Sequence, residues 1–167
     1  MRASHPAEIR RRVRVKSTGI LIAIDMYNCK EESIYNREGL RDSVKSFAES
    51  CSLVPHTIYL DEEENQEEYA VLLSCKQGHV TLHVRPDKGF AAVDVFTCNK
   101  PANPDKMAKE ICDYLDPGKL KVTYLERGDY GKVTDMKPRR RTRIKTIKRM
   151  HDMGRKFSKM MMKPRSM

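Results

Sequence analysis

The chain has 167 residues, 39% of them hydrophobic, and a formal net charge of +10, enough for one core of ordinary size with appendages. Residues 1–16 hold six Lys/Arg and one acid, residues 136–167 hold thirteen and one, and residues 17–135 hold fourteen against 21 acids. A mildly acidic body therefore stands between two basic arms, and the whole-chain charge excludes neither a globular enzyme nor a binding module.

Taken in chain order, the first apolar run is Gly19 to Met26, short and rich in β-branched residues, which predicts a buried strand. Leu40, Val44, Phe47, Ala48 and Cys51 recur at helical spacing within 37–53, the pattern of an amphipathic helix. Residues 57–60 read as a strand and 61–68 as an acidic loop. Residues 69–75 and 79–84 read as strands joined by Lys76, Gln77 and Gly78, and Pro86 with Gly89 marks a turn. Phe90 to Cys98 is the strongest strand pattern. Pro104 opens a second helix, with Met107, Ile111, Cys112 and Leu115 on one face, and Pro117-Gly118 closes it. Residues 120–125 alternate as a last strand.

This order predicts an α+β sandwich, an antiparallel sheet with helices on one face. The uncovered face predicts a homodimer through the sheets or their edges. The domain reading is a basic arm at 1–16, the folded body at 17–135, and a basic tail at 136–167. In the tail Ile144, Ile147, Met150, Met153, Phe157, Met160 and Met161 recur every three or four residues. Such a tail is a basic amphipathic helix or a solvated, disordered segment, suited to a nonspecific anionic partner: nucleic acid, a membrane surface or an acidic protein.

Five cysteines without a CxxC pair predict reduced thiols and no metal site. No apolar run has the length of a transmembrane span or the form of a signal peptide, so the expected location is cytoplasmic.

Chemistry concentrates between His79 and Asn99. His79 and His83 share one face of a strand because side chains alternate. A hairpin about 85–89 returns Cys98 toward Gly78 and His79, where a thiol beside imidazoles is acid/base equipment. The bland alternative is a small buried cysteine and hydrogen-bonded histidines.

Pro86, Gly89 and the run Ala92, Val93, Asp94, Val95, Phe96, Thr97 and Cys98 stand at fixed gaps. They resemble the core motif of the prokaryotic, pyruvoyl-dependent S-adenosylmethionine decarboxylases, a Glu-Ser-His step leading into HxxxHxxPxxGxxAVDVFTCG. The resemblance runs from about Lys16 to Gly128 and includes Tyr27, Cys29 and the closing Tyr124 to Gly128.

In that family a serine hydroxyl attacks the preceding carbonyl, the ester eliminates, and the new N-terminus becomes the pyruvoyl cofactor of the decarboxylation. The resemblance assigns the processing role to His83, the catalytic proton donor to Cys98, and the serine position to Gly78. It places substrate contacts at Met26, Tyr27, Gln77 and His79, with Gln77 where the family has glutamate and Met26 where it has an adenine-stacking aromatic.

Glycine has no hydroxyl, so the resemblance implies a divergent member that does not self-process and forms no pyruvoyl cofactor. The expected function is that of a binding or regulatory homologue, a pseudoenzyme linked to polyamine (spermidine) biosynthesis. It would take an S-adenosylmethionine-like or polyamine ligand, as a homodimer or as a heterodimer with an active paralogue. One alternative is an active decarboxylase matured at Ser74 or Cys75, or an enzyme using the Cys98 thiol differently. The other is a nonspecific nucleic-acid or membrane-surface binder acting through the tail.

Overall fold

Alternation of apolar and polar residues builds most of the sheet, and two amphipathic helices supply its cover. The computed structural model describes residues 18–62, 67–98, 101–128 and 138–144. Strands β1 (Gly19–Tyr27), β2 (Pro55–Glu62), β3 (Tyr69–Cys75), β4 (Gly78–Arg85), β5 (Phe90–Thr97), β6 (Lys119–Arg127) and β7 (Arg139–Ile144) form one seven-stranded sheet. Its order is β2-β3-β4-β5-β1-β6-β7, antiparallel throughout. Helices α1 (Glu31–Ile34), α2 (Arg37–Ser50) and α3 (Pro104–Leu115) complete the described elements.

The predicted α+β architecture is the observed one. Ile22, Ile24 and Met26 of β1 point with Val80, Leu82 and Val84 of β4 and Val93 and Val95 of β5 into one buried layer. Leu40, Val44 and Ala48 of α2 and Met107, Ile111 and Leu115 of α3 close that layer from above. Both long helices begin at asparagine caps: the Asn36 side-chain oxygen accepts from the Gly39 N–H at 3.0 Å, and that of Asn103 from Lys106 at 2.9 Å. The turn between β4 and β5 is a 3-10 turn, Pro86–Lys88, ended by Gly89 at φ 58°, a left-handed conformation that glycine adopts without strain.

The opposite sheet face carries no helix among the described residues. Tyr59 (65% exposed) and Leu72 (38%) stand directly opposite each other on it.

Two expectations need correction. The four-residue α1 was not foreseen, since a single turn has too little periodicity to read. The boundary at 135 and the reading of the basic run as the start of a helix or a disordered tail also fail for residues 139–144. These form β7, paired with β6 from Lys119↔Ile144 to Tyr124↔Arg139. The run Arg-Arg-Arg-Thr-Arg-Ile has no apolar alternation; it joins the sheet through the backbone ladder, with Arg139 on Glu126 and Arg141 over the Tyr124 ring. The remainder of the expected amphipathic tail, 145–167, and the N-terminal arm, 1–16, lie outside the described residues.

Replacing Asn103 by alanine removes the cap of α3 and is expected to lower unfolding free energy by about 1 kcal/mol in chemical denaturation. An unchanged denaturation midpoint would contradict that role.

Candidate active site

The turn between β3 and β4 is fixed by Gln77. Its side chain is buried, 8% exposed, and its Oε1 accepts a hydrogen bond from the Val54 N–H at 2.9 Å. Its peptide carbonyl points to the end of β5, where it accepts from the Cys98 N–H at 2.9 Å and from the Cys98 thiol, Sγ to O, at 3.3 Å. Gly78 follows at once, paired with Thr97. Cys98, predicted to return toward Gly78 and His79, does reach this strand end, where its contact is the Gln77 carbonyl, and the His79 ring lies 5.3 Å from that of Phe96.

The carbonyl that precedes residue 78 is thus held by two donors from one residue, an arrangement that polarises it as an oxyanion-type cradle does. Residue 78, a glycine, supplies no hydroxyl to attack it. A β-carbon built on Gly78 would lie 1.9 Å from the Phe96 carbonyl oxygen, 2.8 Å from the Phe96 carbonyl carbon and 3.0 Å from Thr97 Cα. These are backbone atoms of a neighbouring strand, so they cannot swing aside. A serine at this position would need that β-carbon on the intact backbone, at a φ of 157° that side chains rarely adopt, and glycine supplies neither the β-carbon nor the hydroxyl from which a pyruvoyl group is made.

The other predicted residues lie elsewhere. His83 is exposed and faces Ala70 and Ala92 on the open side. It stands five residues from Gly78 along one strand, about 17 Å at the ordinary rise. Tyr27 shares that far end, packed on Phe90 at 5.4 Å, with the Lys119 and Lys121 ammonium groups 5.7 and 5.5 Å from its ring centre. Met26, read as a substitute for a stacking aromatic, is 0% exposed in the helix-covered core. No ligand can lie on it, because alternation sends it the same way as Ile22 and Ile24.

Sequence reasoning missed a cleft of about 310 Å³ at the His83 end, whose lining includes Asp61, Glu68, Tyr69, Arg85 and Phe90. Arg85 reaches Glu68 at 3.5 Å and Asp87 at 3.7 Å. The acidic loop in the sequence was the available signal, but only the β2-β3 pairing carries it to His83. Among the described residues no group of three or more potential ligands could hold a metal ion, and no helix is long and apolar enough to cross a membrane.

The family model for S-adenosylmethionine decarboxylase matches residues 20–128. The chain belongs to the S-adenosylmethionine decarboxylase family. Among its relatives, an S-adenosylmethionine decarboxylase proenzyme of Methanococcus aeolicus is 25% identical over 114 residues, 68% of this chain and 97% of that one. A proenzyme of the same name from Thermomicrobium roseum is 28% identical over 116 residues, with the same two shares. The crystal structure of the adenosylmethionine decarboxylase from Aquifex aeolicus has the same fold, with a TM-score of 0.62 at 23% identity, over 68% of this chain and 92% of that one. The decarboxylase-family match ends at 128, before β7 begins.

The cysteines of this family member differ in environment. Burial pushes the Cys75 thiol up, and burial with the nearby Asp113 carboxylate pushes Cys112 up to about 11. Cys98 is half-buried, as Cys112 is, and lies at the strand end with its thiol on the Gln77 carbonyl. Alkylation of the native chain near pH 8 should therefore mark Cys98 well before Cys112 or Cys75, with Cys112 gaining reactivity only as the pH approaches about 11. Peptide mapping in which Cys112 labels first would contradict this.

Proposed function

We propose that this chain is a non-self-processing homologue in its family, a binding or regulatory protein linked to polyamine biosynthesis. The observation that carries the reading is the 1.9 Å approach of a Gly78 β-carbon to the Phe96 carbonyl oxygen. The nucleophile is absent and its place is taken by backbone, while the carbonyl it would attack is still held by Cys98.

Maturation at Ser74 or Cys75 gains no support. Ser74 lies within β3, with β2 and β4 paired on either side, Thr57 and His79 opposite it. Cys75 is 7% exposed and its burial disfavours the thiolate.

A second copy, or an active paralogue of the same fold, is the partner we assign to the open face. His83 and Gly78 occupy opposite ends of β4, so one chain cannot bring them together. Two copies stacked face to face, about a two-fold axis lying across the strands, would set the Gly78 end of one sheet over the His83 end of the other. The ligand class in this reading is a cationic metabolite, S-adenosylmethionine-like or a polyamine. Asp61 and Glu68 beside the aromatic Phe90 suit an ammonium group on an apolar chain.

The intact mass of the purified chain tests the reading. A single species near 19.4 kDa is expected, and two fragments would refute it. Gly78→Ser, alone or with Gln77→Glu, is expected to remain one species as well; cleavage in either variant would overturn the steric part of the argument.

A further inference from the structure

Arg139, Arg140, Arg141 and Arg143 lie within the six residues of β7, all exposed. The strand falls outside the 20–128 match, so the family fold does not require it. One of its edges is spent on β6, and among the described residues the other is the edge of the sheet. By register, Arg139, Arg141 and Arg143 stand opposite Tyr124, Val122 and Leu120 on the helix-bearing side, and Arg140 opposite Thr123 on the open side.

An internal latch, with the arginines held by acids of α3 and β6, accounts for only one of them. Arg139 donates to Glu126 at 2.6 Å. Asp113 is taken by Lys109, and Asp105 is hydrogen-bonded to the Tyr124 hydroxyl. Among the described residues Arg140, Arg141 and Arg143 have no ion pair within 4.0 Å, and Arg141 rests 6.0 Å from the centre of the Tyr124 ring. Like charges aligned on one edge strand repel, a cost that an external anion removes.

The identity and spacing of these cations narrow the anion. All four are arginine, whose planar fork grips a phosphate through two hydrogen bonds. Alternate side chains of a strand recur about every 6.7 Å, which offers Arg141 and Arg143 to successive charges of a linear polymer. Arg140 projects from the other face, so the cations wrap the free edge as a ridge. A polyanionic chain can run along a ridge, whereas a flat lipid surface meets one side of it. Eight further Lys/Arg against one acid follow in residues 145–167.

We infer that the β7 edge is a sequence-nonspecific binding surface for single-stranded nucleic acid, gripping the phosphodiester backbone through Arg140, Arg141 and Arg143. Arg141 and Arg143, on the helix-bearing side, stay available whether or not a second copy covers the open face, on which Arg140 stands.

The test is binding of the full chain to a labelled oligouridylate at increasing potassium chloride. Arg140→Gln/Arg141→Gln/Arg143→Gln is expected to weaken binding about tenfold and to flatten the slope of log K against log salt by about 2, at about 0.7 per phosphate contact on a single strand. The single change Arg140→Glu, at an exposed position without an ion pair, should weaken binding severalfold and decides the matter if the triple variant does not fold. Unchanged affinity and slope would overturn the inference. So would a loss confined to a variant with Lys148, Arg149, Lys156 and Lys159 replaced by glutamine, or a wild-type chain that binds phosphatidylserine vesicles but not the oligonucleotide.

Discussion

Between the start of β4 and the end of β5 the two backbones approach so closely that residue 78 has no space for a side chain. Close packing makes such contacts unforgiving, because strand backbone has no alternative rotamer to adopt. The approach also sets the turn before it. Gln77 is drawn in until its carbonyl meets both donors of Cys98 and its side chain reaches the Val54 N–H. On the proposed reading, a glycine in the family's serine position and the closure of the strand are one change seen from two sides. A glycine permits the approach, and the approach in turn forbids any larger residue.

What survives of a catalytic constellation is therefore its electrophilic half. A carbonyl that accepts from a thiol and an N–H remains where the family resemblance places the cleavage junction, and residue 78 brings no hydroxyl to attack it. The histidine that would process it stands at the far end of the same strand, in a cleft with Asp61 and Glu68. The proposed second copy on the uncovered face is what would bring the two ends together.

The body of the fold was legible because its elements obey strict periods. Leu40, Val44 and Ala48 mark α2 at helical spacing, Met107, Ile111 and Leu115 mark α3, and the apolar runs of β1, β3 and β5 are long enough to exclude loops. The meeting of Cys98 with Gly78 followed from a hairpin of equal arms. Met26 was misassigned although the parity of β1, shared with Ile22 and Ile24, already directed it into the core. The tightness at Gly78 had no sequence signal, since it depends on the Phe96 carbonyl and not on any side chain. β7 was illegible for a related reason: its pairing is made by backbone, and arginine at every position but two hides the alternation that marks a strand. The His83 cleft likewise depends on strand order, which brings an acidic loop beside a histidine some twenty residues away.

Stability of Gly78→Ala measures the central contact directly. Alanine adds only the β-carbon, without the hydroxyl chemistry that complicates serine. If the backbone of β5 occupies that space, the variant unfolds at clearly lower denaturant than the wild type, by about 1–3 kcal/mol or more for an overpacked site. If Gly78→Ala is as stable as the wild type, residue 78 has room for a side chain, and the account of a closed processing position is wrong.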